Sequence, residues 1–183
     1  MYATFQARAE AVSAEVHRFG GRAQAVHFLE ALLTIEGVAD RAGARAVWAD
    51  RGRVPPEERE ALCQRLPGLA FEVTRQRAAE ARVGVTEFDW AIANTGTLAV
   101  AADAVEERLA ATLPEVHVAL ADPARMVPDL PALLAVLGPS RTRYLSLVTG
   151  PSRTADIERV LTIGVHGPRR LVIAFVDGLQ GRY

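Results

Sequence analysis

Short, continuously apolar runs alternate along this chain with longer segments whose apolar residues recur every three or four positions. The runs Arg45–Ala49, Leu69–Val73, Val116–Leu120, Leu145–Val148 and Leu171–Val176 predict strands, several of them covered on both faces. Ala23–Val26 reads as a further short strand. Residues 4–19 predict an amphipathic helix with Phe5, Ala9, Val12, Val16 and Phe19 on one face, stopped by Gly20-Gly21. Helices are also predicted over Phe28–Ala42, from Pro55-Pro56 to Leu66, over Ala78–Val83 and over Pro123–Leu137. Apolar runs at Ala91–Ala93 and Leu98–Val100 flank Asn94-Thr95-Gly96-Thr97. Alternating strands and helices argue an α/β protein with a mostly parallel sheet flanked by helices. A helical N-terminal segment (1–20) precedes one α/β domain (21–183). In such sheets ligands sit outside the carboxyl ends of strands, and the loop after Val148 is read as one such place.

Bulk properties narrow the function classes. Half of the 183 residues are hydrophobic, and no apolar run approaches the roughly 20 residues of a membrane helix. The N-terminus lacks a signal-type apolar stretch, so a soluble cytoplasmic protein is expected. A net charge of −1 offers no basic excess for nucleic acid. All 21 basic residues are arginine, which excludes Schiff-base lysine chemistry and a lysine-dependent P-loop. Cys63 is the single cysteine; an iron–sulfur cluster needs about four thiolates, so the chain cannot hold one alone. Cys63 reads as a small hydrophobe on a helix, and Trp48 and Trp90 read as packing residues.

The densest chemistry lies in Thr149-Gly150-Pro151-Ser152-Arg153-Thr154-Ala155-Asp156-Ile157-Glu158. Gly150 lets a ligand approach the backbone, Ser152 and Thr154 supply hydroxyls, and the Arg153 guanidinium matches a carboxylate or phosphate. The same residues also read as a helix start, with Thr154 as N-cap and Asp156 and Glu158 in the first turn. Asp156 and Glu158 are candidates for acid and base; alternatively Asp156 pairs with Arg153. Thr95, Gly96 and Thr97 form either a simple turn or an anion cradle. His166, between Gly164 and Gly167, is either a proton carrier or a loop histidine bonded to backbone. His117, within an apolar strand, faces either a cleft or solvent. No local histidine spacing announces a metal site, and no Rossmann, Walker or nucleophile-elbow motif is present.

Taken together, Gly84-Val85-Thr86, Ala91-Ile92-Ala93-Asn94-Thr95-Gly96-Thr97, Leu113-Pro114 with His117, Thr149–Glu158 and Gly164-Val165-His166-Gly167-Pro168 resemble the LUD-domain family, lactate-utilisation protein C type. The resemblance spans about residues 84–176. It implies a fold similar to the sugar-phosphate isomerase and CoA-transferase-like group. It also implies a role in oxidising L-lactate to pyruvate, beside the iron–sulfur lactate-utilisation proteins A and B. In that family the C-type member lacks clusters, in agreement with the single cysteine. The family often carries glutamate before Thr-Gly-Thr, where this chain has Asn94.

The expected function is therefore a cluster-free component of a lactate-oxidising system that binds a small carboxylate or phosphate. Thr95, Gly96, Thr97, Gly150, Ser152, Arg153 and Thr154 are the binding candidates, and Asp156, Glu158 and His166 the catalytic ones. Two alternatives remain: a stand-alone isomerase-like enzyme on a small phosphorylated or carboxylated metabolite, and a regulatory or interaction module. Clusters are expected only in partner proteins, nucleic acid and membrane are not expected partners, and a homodimer is left open. The Thr95–Thr97 turn, the Ser152–Asp156 loop and His166 are expected to converge on one cleft.

Overall fold

The computed structural model describes residues 1–137, 143–155, 161–163 and 167–179. The elements in chain order are α1 (Tyr2–Ala11), β1 (Ala14–Phe19), α2 (Arg22–Ile35), β2 (Arg45–Ala49), α3 (Pro56–Arg65), β3 (Leu69–Ala70), α4 (Arg75–Ala79), β4 (Ala81–Glu87), β5 (Trp90–Ile92) and β6 (Thr97–Ala101). Then follow α5 (Val105–Thr112), β7 (Val116–Ala121), a 3-10 turn (Pro123–Arg125), β8 (Met126–Val127), α6 (Leu130–Leu137), β9 (Leu145–Val148), β10 (Arg153–Ala155), β11 (Leu161–Ile163) and β12 (Arg170–Val176).

A six-stranded parallel sheet runs in the order β1-β12-β7-β4-β2-β3. Strands β7 and β12, covered on both faces, are apolar except for the buried His117 and the leading Arg170. Leu29, Leu32 and Leu33 of α2 and Leu62 of α3 pack on Trp48, Val83, Val85 and Val118 on one face. On the other face, Ala78 of α4 and Ala110 of α5 meet Val47 and Ala49. Phe5 and Ala9 of α1 cover Ile173 and Phe175 on that face, beside residues of a second sheet, β8-β5-β6-β9. Gly84 is required there, since a Cβ would lie 1.9 Å from the Ala110 carbonyl oxygen. Among the described residues, no helix is long and apolar enough to cross a membrane.

Several predicted elements differ. The first helix ends at Ala11; Ser13, at φ +70°, turns the chain so that residues 14–19 pair in parallel with β12. Residues 23–26 lie inside α2, whose buried Ala25, Leu29, Leu32 and Leu33 follow the helical period. That helix stops at Ile35, not Ala42, because Gly37 at φ +70° lets the Val38 amide return to Leu33. Residues 81–83 are strand, paired with β2, and the predicted strand over Leu69–Val73 shortens to Leu69–Ala70. The predicted helix over Pro123–Leu137 breaks into a 3-10 turn, β8 and α6; Pro128 stands in the break and Pro131 in the first turn of α6, where proline is tolerated. β9 pairs antiparallel with β6 in the second sheet, so the loop after Val148 does not leave the parallel sheet.

Candidate functional site

The sequence motifs assemble at the amino edge of β1 and β12. Pairing of β6 with β9 sets Leu98 opposite Val148, which brings the Thr97 and Thr149 hydroxyls to 2.7 Å. Asn94 and Thr95 are exposed at the tip of the β5–β6 hairpin. Gly96, at φ +65°, lies against α1, where a Cβ would come within 2.4 Å of the Ala9 nitrogen. Gly150, at φ +71°, lies against Val12; a Cβ there would be 2.8 Å from the Val12 carbonyl oxygen. The Ser152 amide donates to the Pro168 carbonyl at 2.8 Å, and Gly167 packs on the Ser152 side chain. The exposed Arg153 donates to the Ser13 hydroxyl at 2.8 Å.

Thr97, Gly150, Ser152 and Arg153 thus meet around the turn between α1 and β1, beside the segment that enters β12. Ser13, held by Arg153, is the non-glycine residue at positive φ among those described. The helix start read at Thr154 is not formed. Residues 153–155 are instead β10, paired antiparallel with β11, so that extended backbone satisfies its polar groups across the hairpin. Asp156, Glu158 and His166 lie outside the described residues.

A second cluster occupies the carboxyl ends of β2 and β4. From β2 the chain reaches β3 through α3 on one face, then returns through α4 on the other face to β4, on the far side of β2. That reversal makes a crevice outside the carboxyl ends of β2 and β4, the ordinary ligand position in a doubly wound sheet. Asp50-Arg51-Gly52-Arg53 leaves β2 at this point, and Glu87-Phe88-Asp89 leaves β4.

The charges there are buried and interlocked. Asp50 accepts the Arg53 and Val54 amides at 3.0 Å each and the Arg59 guanidinium. Glu87, 2% exposed, is paired with Arg53 and lies beside Asp50. Arg51 bridges Asp89 and, at 3.0 Å, Glu107. Asp89 also accepts the Ala101 amide at 3.1 Å. Burial pushes the Glu87 carboxyl up to about 8, Arg53 opposing and Asp50 reinforcing the shift. Burial likewise raises Glu107. Arg53 Nε lies 2.9 Å from Glu87 Oε2, but its N–H is not aimed at that oxygen. Trp48 Nε1, Arg53 Nε and Glu87 Oε2 are buried without a hydrogen bond among the described residues, the last two facing each other as an ion pair. Nor is any group of three His, Cys, Asp or Glu placed there to hold a metal ion, among the described residues.

His117 faces neither cleft nor solvent. It is 2% exposed, its Nε2 lies 2.7 Å from Thr86 Oγ1, and burial lowers its pKa to about 4. Trp48 and Trp90 are buried packing residues. Cys63 is half-buried, with its thiol pushed up by burial. The switch-point residues carry no local sequence signature, because charges after an apolar strand read as a solvated loop. The available signal was that both Ala46–Ala49 and Val83–Thr86 run directly into paired acids and arginines or acids.

A family model described as LUD domain matches residues 2–176. Lactate utilization protein C 1 of Bacillus mycoides (strain KBAB4) is 33% identical over 106 residues, 55% of this chain and 45% of that protein. Lactate utilization protein C of Anoxybacillus flavithermus (strain DSM 21510 / WK1) is 29% identical over 137 residues, 72% of this chain and 62% of that protein. The chain spans about half the length of most curated relatives it matches. The crystal structure of a DUF162 family protein from Deinococcus radiodurans shares the fold, with a TM-score of 0.63 over 96% of both chains at 20% identity. With its match covering nearly the whole sequence, the chain belongs to the LUD domain family.

Proposed function

We propose that this chain is a cluster-free component of an L-lactate utilisation system, binding a small anionic metabolite while partner iron–sulfur proteins, lactate-utilisation proteins A and B, accept the electrons. The observation that carries the reading is the LUD match over residues 2–176, shared with relatives named for lactate utilisation. Oxidation of lactate to pyruvate removes two electrons, and a chain with one cysteine cannot ligate a cluster alone. The joint around Ser13 supports anion binding, because Arg153 is exposed there beside Ser152. Thr95 stands exposed near it, whereas Gly96, Thr97 and Gly150 shape the joint through the contacts they already make.

The test is lactate-dependent reduction of an artificial acceptor by the purified chain, alone and with the iron–sulfur proteins. Activity only in the mixture is expected; turnover by the chain alone, without added cofactor, overturns the reading. Arg153→Ala is expected to weaken lactate or pyruvate binding roughly tenfold or more, the range for a hydrogen bond to a charged group. Unchanged affinity for lactate, pyruvate and phosphate removes Arg153 from the site. The buried acids at the switch point favour a second reading, a stand-alone enzyme moving protons on a small carboxylated or phosphorylated metabolite.

A further inference from the structure

We propose that the outer edge of β9 is a self-association surface, on which a second copy of this chain adds its own β9 antiparallel, about a two-fold axis beside Ser146. β9 ends the four-stranded sheet β8-β5-β6-β9, with β6 on one side and no strand on the other among the described residues. The ladder sets which of its backbone groups face outward. The Ala102 amide donates to the Tyr144 carbonyl at 2.9 Å, and the Ala99 carbonyl accepts the Asp89 amide on the β5 side. Tyr144, Ser146 and Val148 therefore turn their backbone groups toward β6, and Leu145 and Leu147 turn theirs away from it. Those outward amides and carbonyls have no partner among the described residues.

This edge matches itself. Leu145-Ser146-Leu147 reads the same in both directions. With the two copies of Ser146 opposite one another, Leu145 of each chain stands opposite Leu147 of the other. These leucines then form the hydrogen-bonded pairs, each outward N–H meeting a C=O, so the edge is complementary to itself in partial charge. A register one residue off would set outward groups against groups already turned toward β6.

The side chains agree with a second copy as the occupant. A two-fold axis sets each nearby side chain beside its own copy, where a charge would repel itself. None falls on residues 144–148, and α6, which packs on the Leu145 face of the sheet, has no polar side chain at all. Edge strands are ordinarily guarded by charge or proline, and β9 carries neither. Leu147 is 45% exposed and shares the Leu145 face. Leu145 already joins the cluster of Leu133 and Leu137. In the pairing, Leu147 of each chain meets Leu145 of the other and continues that cluster across the axis. Leu134 and Val136, exposed on α6, widen the apolar surface beside it. A different protein would not need a palindromic, uncharged strand to pair with.

Sedimentation equilibrium of the full chain from micromolar to millimolar concentration reads the mass, and twice the chain mass is expected at the upper end. Leu147→Arg, at an exposed position, should keep the far-UV circular dichroism and raise the dissociation constant at least tenfold. Cross-linking under mild oxidation, in a Cys63→Ala background, reads the register. Opposed residues of a non-hydrogen-bonded pair lie about 4.5 Å apart at Cα, within disulfide reach, so Ser146→Cys should join to its own copy. Leu147→Cys should not, because the two copies of residue 147 lie roughly 8 Å apart in this register. A single-chain mass throughout, or association only with added iron–sulfur proteins, overturns the proposal. So does a dimer that Leu147→Arg leaves intact, or cross-linking at 146 no greater than at 147. Should Ser146→Cys fail to fold, the comparison with Leu147→Arg decides alone.

Discussion

Replacing Glu87 by glutamine is expected to stabilise this protein at alkaline pH and to leave it nearly unchanged at acid pH. Glu87 is 2% exposed, and its folded pKa is about 8 against an ordinary 4.5, with burial the largest cause. Between those values the folded chain keeps a proton that the unfolded chain has released. Stability therefore falls as pH rises through this window and levels off above about 8. Each pKa unit corresponds to about 1.4 kcal/mol, so the full span amounts to about 5 kcal/mol. About 4 kcal/mol of it falls between pH 5 and pH 9. Glutamine keeps the size of the side chain and never ionises. Urea denaturation of both proteins at pH 5, 7 and 9 measures the difference, in which titrating groups remote from Glu87 cancel. The gap should be within about 1 kcal/mol at pH 5 and should widen in favour of Glu87→Gln with rising pH. Parallel stability–pH curves, or a wild-type advantage that grows toward pH 9, would refute the reasoning.

Further consequences concern other buried positions. His117 is held neutral, its pKa lowered to about 4 from 6.5 by burial. The stability this represents, about 3 kcal/mol, is complete above pH 6.5 and is lost as pH falls toward 4. Acid unfolding of His117→Gln should begin at lower pH than that of the parent, and coincident acid limbs would contradict the assignment. Gly84→Ala forces a Cβ to 1.9 Å from the Ala110 carbonyl oxygen and should lower stability by about 3 kcal/mol or more, read as a fall in Tm. Gly20→Ala, whose Cβ would meet only Gln24 Oε1 at 3.6 Å, should stay within about 0.5 kcal/mol and serves as its control. Gly96→Ala combines φ +65° with a 2.4 Å approach to Ala9, so it should loosen α1 and weaken the near-UV signal of the Tyr2–Phe5–Phe175 cluster. An unchanged near-UV spectrum would show that the turn does not fix α1.

Local pattern determined much of this fold. Leu171–Val176 and Val116–Leu120 are legible as strands because a strand buried on both faces is apolar at nearly every position, His117 being the one exception in these two runs. Pro56 likewise marks the start of α3, since its missing amide and restricted φ suit a first helical turn. The Thr149 and Gly167 motifs also carry their own message, and the LUD resemblance they support agrees with the family match. Residues 14–19 show where local pattern stops. Val12, Val16 and Phe19 satisfy a helical spacing, yet Ser13 reverses the chain and β12 offers an open edge whose hydrogen bonds a continuing helix would leave unused. The switch-point cluster lies wholly beyond reach of local pattern. Asp50 and Glu87 are neighbours only because β2 and β4 pair in parallel, Ala49 opposite Thr86, while α3 and α4 leave on opposite faces. Burial then supplies what no sequence motif encodes. The same carboxyl that would be an ordinary solvated acid after a strand becomes, beneath α2 and α3, a group that keeps its proton near neutral pH.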